Sequence, residues 1–137
     1  ENAIRSKLKK LERNTQLDIL ELARYGYARH RQGVAYLLEK LPPEEAQRIL
    51  ADRTDAEGTL RLARLGFSSV PKNIYLAQGI QTIDLSYNTS LRTIPIKQLA
   101  QLPQLKQLIL RGAFYLKTND KWKAALAEAL PQVELVF

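Results

Sequence analysis

The single histidine of this 137-residue chain, His30, lies among arginines and tyrosines: Arg24, Tyr25, Tyr27, Arg29, Arg31 and, further on, Tyr36. Rings interleaved with guanidinium groups can stack on nucleobases while the cations hold phosphates. The simpler expectation is that the tyrosine rings pack between helices and leave their hydroxyls in water. An imidazole is the commonest general base. No Ser, Asp or Cys stands at a motif spacing to pair with it, so a surface or helix-end histidine is expected. The chain has no cysteine, which removes thiolate nucleophiles, disulfides and thiolate metal sites, and one histidine cannot build a multi-histidine cage. No G-x-x-x-x-G-K-[ST], G-x-S-x-G or H-E-x-x-H string occurs. The expectation is therefore a non-enzyme with no catalytic residues, no metal and no cofactor.

Charge is the next chemical signal. The net charge is +7, but residues 1–58 hold 11 basic and 10 acidic side chains, whereas residues 59–137 hold 10 basic and only 4 acidic. A basic surface favours anionic partners, although solvated helix faces account for most such charge. The densest basic run, Arg5, Lys7, Lys9, Lys10 and Arg13, is interleaved with Ile4, Leu8 and Leu11 at helical spacing, so its cations read as the wet side of an amphipathic helix. At 45% hydrophobic and 26% charged the chain can form a core. Its apolar runs are too short to span a membrane, and its basic start has no apolar region following it as a signal peptide would. A cytoplasmic location is the expectation. The chain begins with Glu1 rather than Met, so a processed product or a longer parent chain stays open.

The elements that must position these residues change character near Gly58. Residues 1–58 read as a helical capping region. Asn14 or Thr15 caps a helix striped with Leu17, Leu20, Leu22 and Ala23 and ending near Gly26; a second runs from Gln32 to Leu41 and is stopped by Pro42-Pro43. Pro43, Glu44 and Glu45 then make a helical first turn running to Leu50. Thr54 or Asp55 caps a further short helix or begins the approach to a strand. Short antiparallel helices of this kind weakly resemble a HEAT-like fragment.

From residue 59 a repeat appears. Ile80-Gln-Thr-Ile83-Asp-Leu85-Ser-Tyr-Asn88-Thr-Ser-Leu91 fits L-x-x-L-x-L-x-x-N-x-x-L with Ile allowed for Leu, and Leu105-Lys-Gln-Leu108-Ile-Leu110-Arg-Gly-Ala113-Phe-Tyr-Leu116 follows it with a constant offset of 25. Leu60 and Leu62 precede Ile83 and Leu85 by 23 residues, and Leu135 and Phe137 follow Leu108 and Leu110 by 27. These residues resemble a leucine-rich repeat over about the last 79 residues. The resemblance implies an α/β fold: a short right-handed solenoid of about four parallel strands over residues 59–137, preceded by the helical region. Alternate strand residues enter the core and the others face out. Pro71 to Gln78, Pro95 to Leu102 and Asp120 to Leu130 are the expected helical return paths, the last with Trp122, Ala125, Leu126, Ala129 and Leu130 as an inward stripe. Asn88 occupies the family's ladder position, which Leu65 and Ala113 interrupt in the flanking repeats. The helical region is expected to seal one end of the stack, and the Trp122 helix with the last strand the other.

Such repeats most often bind other proteins through the concave strand face, so the resemblance implies a non-catalytic interaction module with a polypeptide partner. The outward positions are Thr59, Arg61 and Ala63; Thr82, Asp84 and Ser86; Gln107, Ile109 and Arg111; and Glu134 and Val136. Of these, Arg61, Thr82, Asp84, Ser86, Gln107, Ile109, Arg111 and Glu134 are the expected partner-binding residues, with Arg61 and Asp84 close enough across neighbouring strands to pair. The alternative is a nucleic-acid-binding module using the basic first helix and outer cations Arg92, Lys97, Lys106, Lys117, Lys121 and Lys123.

Overall fold

Four three-residue strands follow one another along the chain: β1 (Thr59–Arg61), β2 (Thr82–Asp84), β3 (Gln107–Ile109) and β4 (Glu134–Val136). In the computed structural model, which describes residues 38–137, they make one parallel sheet in the order β1-β2-β3-β4. Each triplet points its central aliphatic side chain to one face and its flanking residues to the other. The central residues are direct sheet partners, Leu60 with Ile83, Ile83 with Leu108 and Leu108 with Leu135. The pairing continues past the strand ends through Leu62 N–H to Asp84 O (2.9 Å), Leu85 N–H to Ile109 O (2.9 Å) and Leu110 N–H to Val136 O (2.6 Å). This carries Leu62, Leu85 and Leu110 into the core as well.

Parallel strands need a return path between them, and here the returns form a helical row behind the sheet. Helix α1 (Pro43–Asp52) begins with Pro at its first turn and buries Ala46, Ile49 and Leu50. It packs on a 3-10 helix (Lys72–Leu76), which packs on α2 (Ile96–Leu99), which in turn touches α4 (Asp120–Ala129). Pro71 and Pro95 stand immediately before the first helical residue of their segments, where a fixed φ and a missing N–H cost nothing. The Asn119 side chain caps α4 by accepting from the Trp122 amide at 3.1 Å. Leu62, Phe67, Ile74, Leu91, Leu99, Leu105 and Leu116 fill the space between sheet and helices. Each such side chain adds roughly 1.5–3 kcal/mol when fully buried.

One buried polar group serves this core. Asn88 is fully buried; its Oδ1 accepts from the amides of Leu65 (3.1 Å) and Phe67 (3.1 Å), and its Nδ2 donates to the carbonyls of Leu62 (3.0 Å) and Leu85 (2.9 Å). The side chain thus ties the turn after β1 to the turn after β2. Ala113, at the corresponding place after β3, is buried without that function.

Two details differ from expectation, and a third decides between two open readings in favour of the approach to a strand. The return after β3 begins earlier than Asp120, with a one-turn helix α3 (Phe114–Lys117) that leans on α4. The inward stripe of α4 is narrower than its sequence pattern: Leu126 and Leu130 are buried and Trp122 half-buried, but Ala125 and Ala129 face solvent. An end helix with neighbours on one side covers only its i, i+4, i+8 line. The segment around Asp55 forms no helix. Thr54 bridges antiparallel to Leu60, and Arg61 N–H donates to Arg53 O (2.9 Å), so this stretch covers the outer edge of β1. The readings placed on the Arg5–Arg13 run, the Tyr25–Tyr36 cluster, His30 and the first helix lie outside the described residues.

Candidate functional site

The sheet register sorts the outward residues into rows. Thr59, Thr82, Gln107 and Glu134 form one row, and Arg61, Asp84, Ile109 and Val136 the next. The third row continues into the loops with Ser86 and Arg111. This brings the eight expected partner-binding residues onto one face. Local bonds then remove several of them from the exposed chemistry.

Arg61 and Asp84 are register partners, yet the lateral ion pair expected between them does not form. Arg61 turns to Asp55, with Nη2 2.8 Å and Nε 3.0 Å from its Oδ2. Asp55 is preorganised for this because its Oδ1 accepts from the amides of Thr59 and Glu57, each at 3.0 Å. The Thr59 bond foremost, with the Glu57 bond and the Arg61 guanidinium, holds the Asp55 carboxyl below its ordinary range, while partial burial works the other way. Asp84 accepts instead from the Ser86 amide at 3.0 Å and from the Ser86 hydroxyl, and Ser86 is itself buried. Gln107 Nε2 donates to Glu134 Oε1 at 2.8 Å. The half-buried Thr82, Ile109 and Val136 and the exposed Arg111 remain, and Arg111 has no side-chain partner among the described residues. Ile109 and Val136 lie side by side as a small apolar pair on the last two strands.

The outer cations do not form one surface. Lys106 precedes β3 and Lys117 closes α3 beyond its other end, while Lys97 sits on α2 and Lys121 and Lys123 on α4. Arg92, in the loop after β2, lies over the Tyr115 ring of α3 at 5.0 Å from its centroid.

A second feature, at the ends of the strands, was not legible in the sequence. Two residues beyond Leu62, Leu85 and Leu110 the backbone turns left-handed, at Arg64 (φ 59°), Tyr87 (φ 61°) and Gly112 (φ 82°). Arg64 Cζ lies 4.5 Å from the Tyr87 ring centroid, and Tyr87 rests against Gly112. Phe114, Tyr115 and Tyr87 are the most exposed large rings described, Phe114 at 61%. Only the glycine at position 112 signals this turn in the sequence, because Arg and Tyr rarely take a positive φ.

A groove of about 280 Å³ between α1 and the 3-10 helix is lined by Gln47, Ala51, Thr54, Leu76, Ala77 and Gln78. The Thr54 hydroxyl there is spent on Leu50 O at 2.8 Å. Among the described residues no group of His, Asp or Glu side chains is placed to hold a metal ion, and no helix is long and apolar enough to cross a membrane. No family model, curated protein or solved structure matches the chain.

Proposed function

We propose that residues 59–137 are a short right-handed leucine-rich-repeat solenoid capped by the helical residues 1–58, and that the chain is a non-catalytic cytoplasmic module that binds a polypeptide through its strand face. The observation that carries this reading is the pairing of Ile109 with Val136 at the β3–β4 end of a face whose charges, Arg111 excepted, are bonded locally. A half-exposed aliphatic pair bordered by polar side chains suits a protein contact. Arg111 is its free cation and fixes the partner's orientation through a carboxylate or carbonyl. The face is small: four strands about 4.8 Å apart span roughly 15 Å. A standard interface of about 800 Å² per partner therefore includes the loops that flank the strands.

Selection from a displayed peptide library on the immobilised full chain tests this. Selected peptides should bind the wild type and lose at least about tenfold in affinity, about 1.4 kcal/mol, against Ile109→Glu combined with Arg111→Glu. Unchanged affinity in that variant, with its circular dichroism spectrum intact, would remove the strand face from the function.

A further inference from the structure

We propose that Arg64, Tyr87, Arg92, Phe114 and Tyr115 form a second site, at the ends of the strands, that binds single-stranded nucleic acid. It uses none of the residues of the polypeptide face and stands or falls independently of it.

The backbone is the first argument. Three successive strands are followed by a left-handed residue at the same place, and glycine fills that conformation without strain. Gly112 does so, but the two earlier turns carry Arg64 and Tyr87 instead. Strained backbone that holds a long cation and a ring together is the kind of outlier that marks a functional position.

The second argument is how cations and rings combine. Arg64 lies over Tyr87 and Arg92 over Tyr115, at 4.5 and 5.0 Å from the ring centroids. A guanidinium held against a ring keeps its N–H donors for phosphate oxygens and its outer face for a stacked base. Phe114, at 61% exposure, supplies a further ring, with no cation over it among the described residues. The chain links these groups into one strip, since the Tyr87 amide donates to Arg111 O and Gly112 lies two residues before Phe114.

Charge completes the case. Neither Arg64 nor Arg92 has a carboxylate partner among the described residues, and the strand carboxylate Asp84 is already bonded to Ser86. Guanidinium groups set against exposed rings suit a stacked base with its phosphate, because every nucleobase offers a face to stack. Three turns about 4.8 Å apart make a strip roughly 10 Å wide, room for about three nucleotides at roughly 3.4 Å each.

The test is fluorescence anisotropy of a labelled oligouridine with the full chain, titrated at several salt concentrations. Two phosphate contacts, one each at Arg64 and Arg92, predict a slope of log affinity against log salt of about −1.4. Phe114→Ala with Tyr115→Ala, both at exposed positions, should weaken binding at fixed salt by at least about tenfold without changing that slope. Arg64→Gln with Arg92→Gln should instead reduce the magnitude of the slope by about 1.4, leaving it near zero. Absence of binding at low salt, binding that both variants retain, as it would if the Arg5–Arg13 stretch carried it, or equal affinity for duplex would each overturn the proposal. Tighter binding of polyglutamate than of oligouridine would replace it with an acidic-polypeptide site.

Discussion

The side-chain oxygen of Asn88 accepts a hydrogen bond from the main-chain amide of Leu65, 23 residues earlier, at 3.1 Å in a fully buried position. With the bonds to Phe67, Leu62 and Leu85 it satisfies four backbone groups that water does not reach. Asn88→Ala leaves all four without this partner. Each buried group left unsatisfied costs about 1–3 kcal/mol, so a loss of at least about 3 kcal/mol is expected, read as a lower urea midpoint at unchanged slope. A loss under about 1 kcal/mol would mean that the turn repacks or admits water, and that Asn88 does not tie the two turns together.

Gly112 and Gly79 both have positive φ, 82° and 77°, but differ in surroundings. A Cβ at position 79 meets nothing within 4 Å, whereas one at position 112 comes within 2.9 Å of Tyr87 Cδ1 and 3.1 Å of Tyr87 Cα. Gly79→Ala should therefore cost about 1–2 kcal/mol, the left-handed strain of an alanine. Gly112→Ala carries the same strain and a backbone collision in addition, so its urea midpoint should fall at least twice as far. Equal shifts would show that Tyr87 yields freely and does not pack on Gly112.

What the sequence made legible follows from burial. Leu60, Ile83, Leu108 and Leu135 could be aligned by spacing alone because a buried strand tolerates few residue types, and those alignments are the observed sheet register. The outward residues obey no such restriction. Nothing in the spacing tells that Arg61 leaves its register partner Asp84 for Asp55, because that choice rests on two amides aimed at Asp55 by a tight turn. The left-handed Arg64 and Tyr87 were hidden for a related reason: a residue held against its preference by neighbours leaves no local signature. The exposed Ala125 shows the converse error, since alanine in an apolar pattern is equally at home on either side of a helix.

Asp55 gives the fold a pH dependence with a definite sign. Its carboxyl is held below its ordinary value by the Thr59 and Glu57 amides and by Arg61. A depressed native value means that the unfolded chain takes up the proton first as acid is added. The contribution is complete above the ordinary aspartate range, near pH 4, and is lost as the pH falls through the lower native value. Asp55→Asn should be less stable than the wild type at neutral pH, and the gap between their urea midpoints should close as the pH is lowered through that window. A gap that stays constant would show that the carboxylate charge is immaterial to the turn.

Leu108 and Leu135 are register partners on the last two strands, but Leu108 is fully buried and Leu135 half-buried. The reason is position: among the described residues no strand pairs with the outer edge of β4, and Phe137 lies against Lys123. Deleting a buried leucine side chain costs about 2–5 kcal/mol. Leu108→Ala should fall in that range, and Leu135→Ala should cost about half as much, because only part of its area leaves water on folding. Measured over a range of protein concentrations, the two midpoints also report on what lies beyond β4. An equal cost at both positions that shrinks on dilution would mean that a second copy covers the strand in solution, and an equal cost independent of concentration would mean that the same chain does. The smaller cost at Leu135, unchanged by dilution, is the expected result for an edge that water reaches.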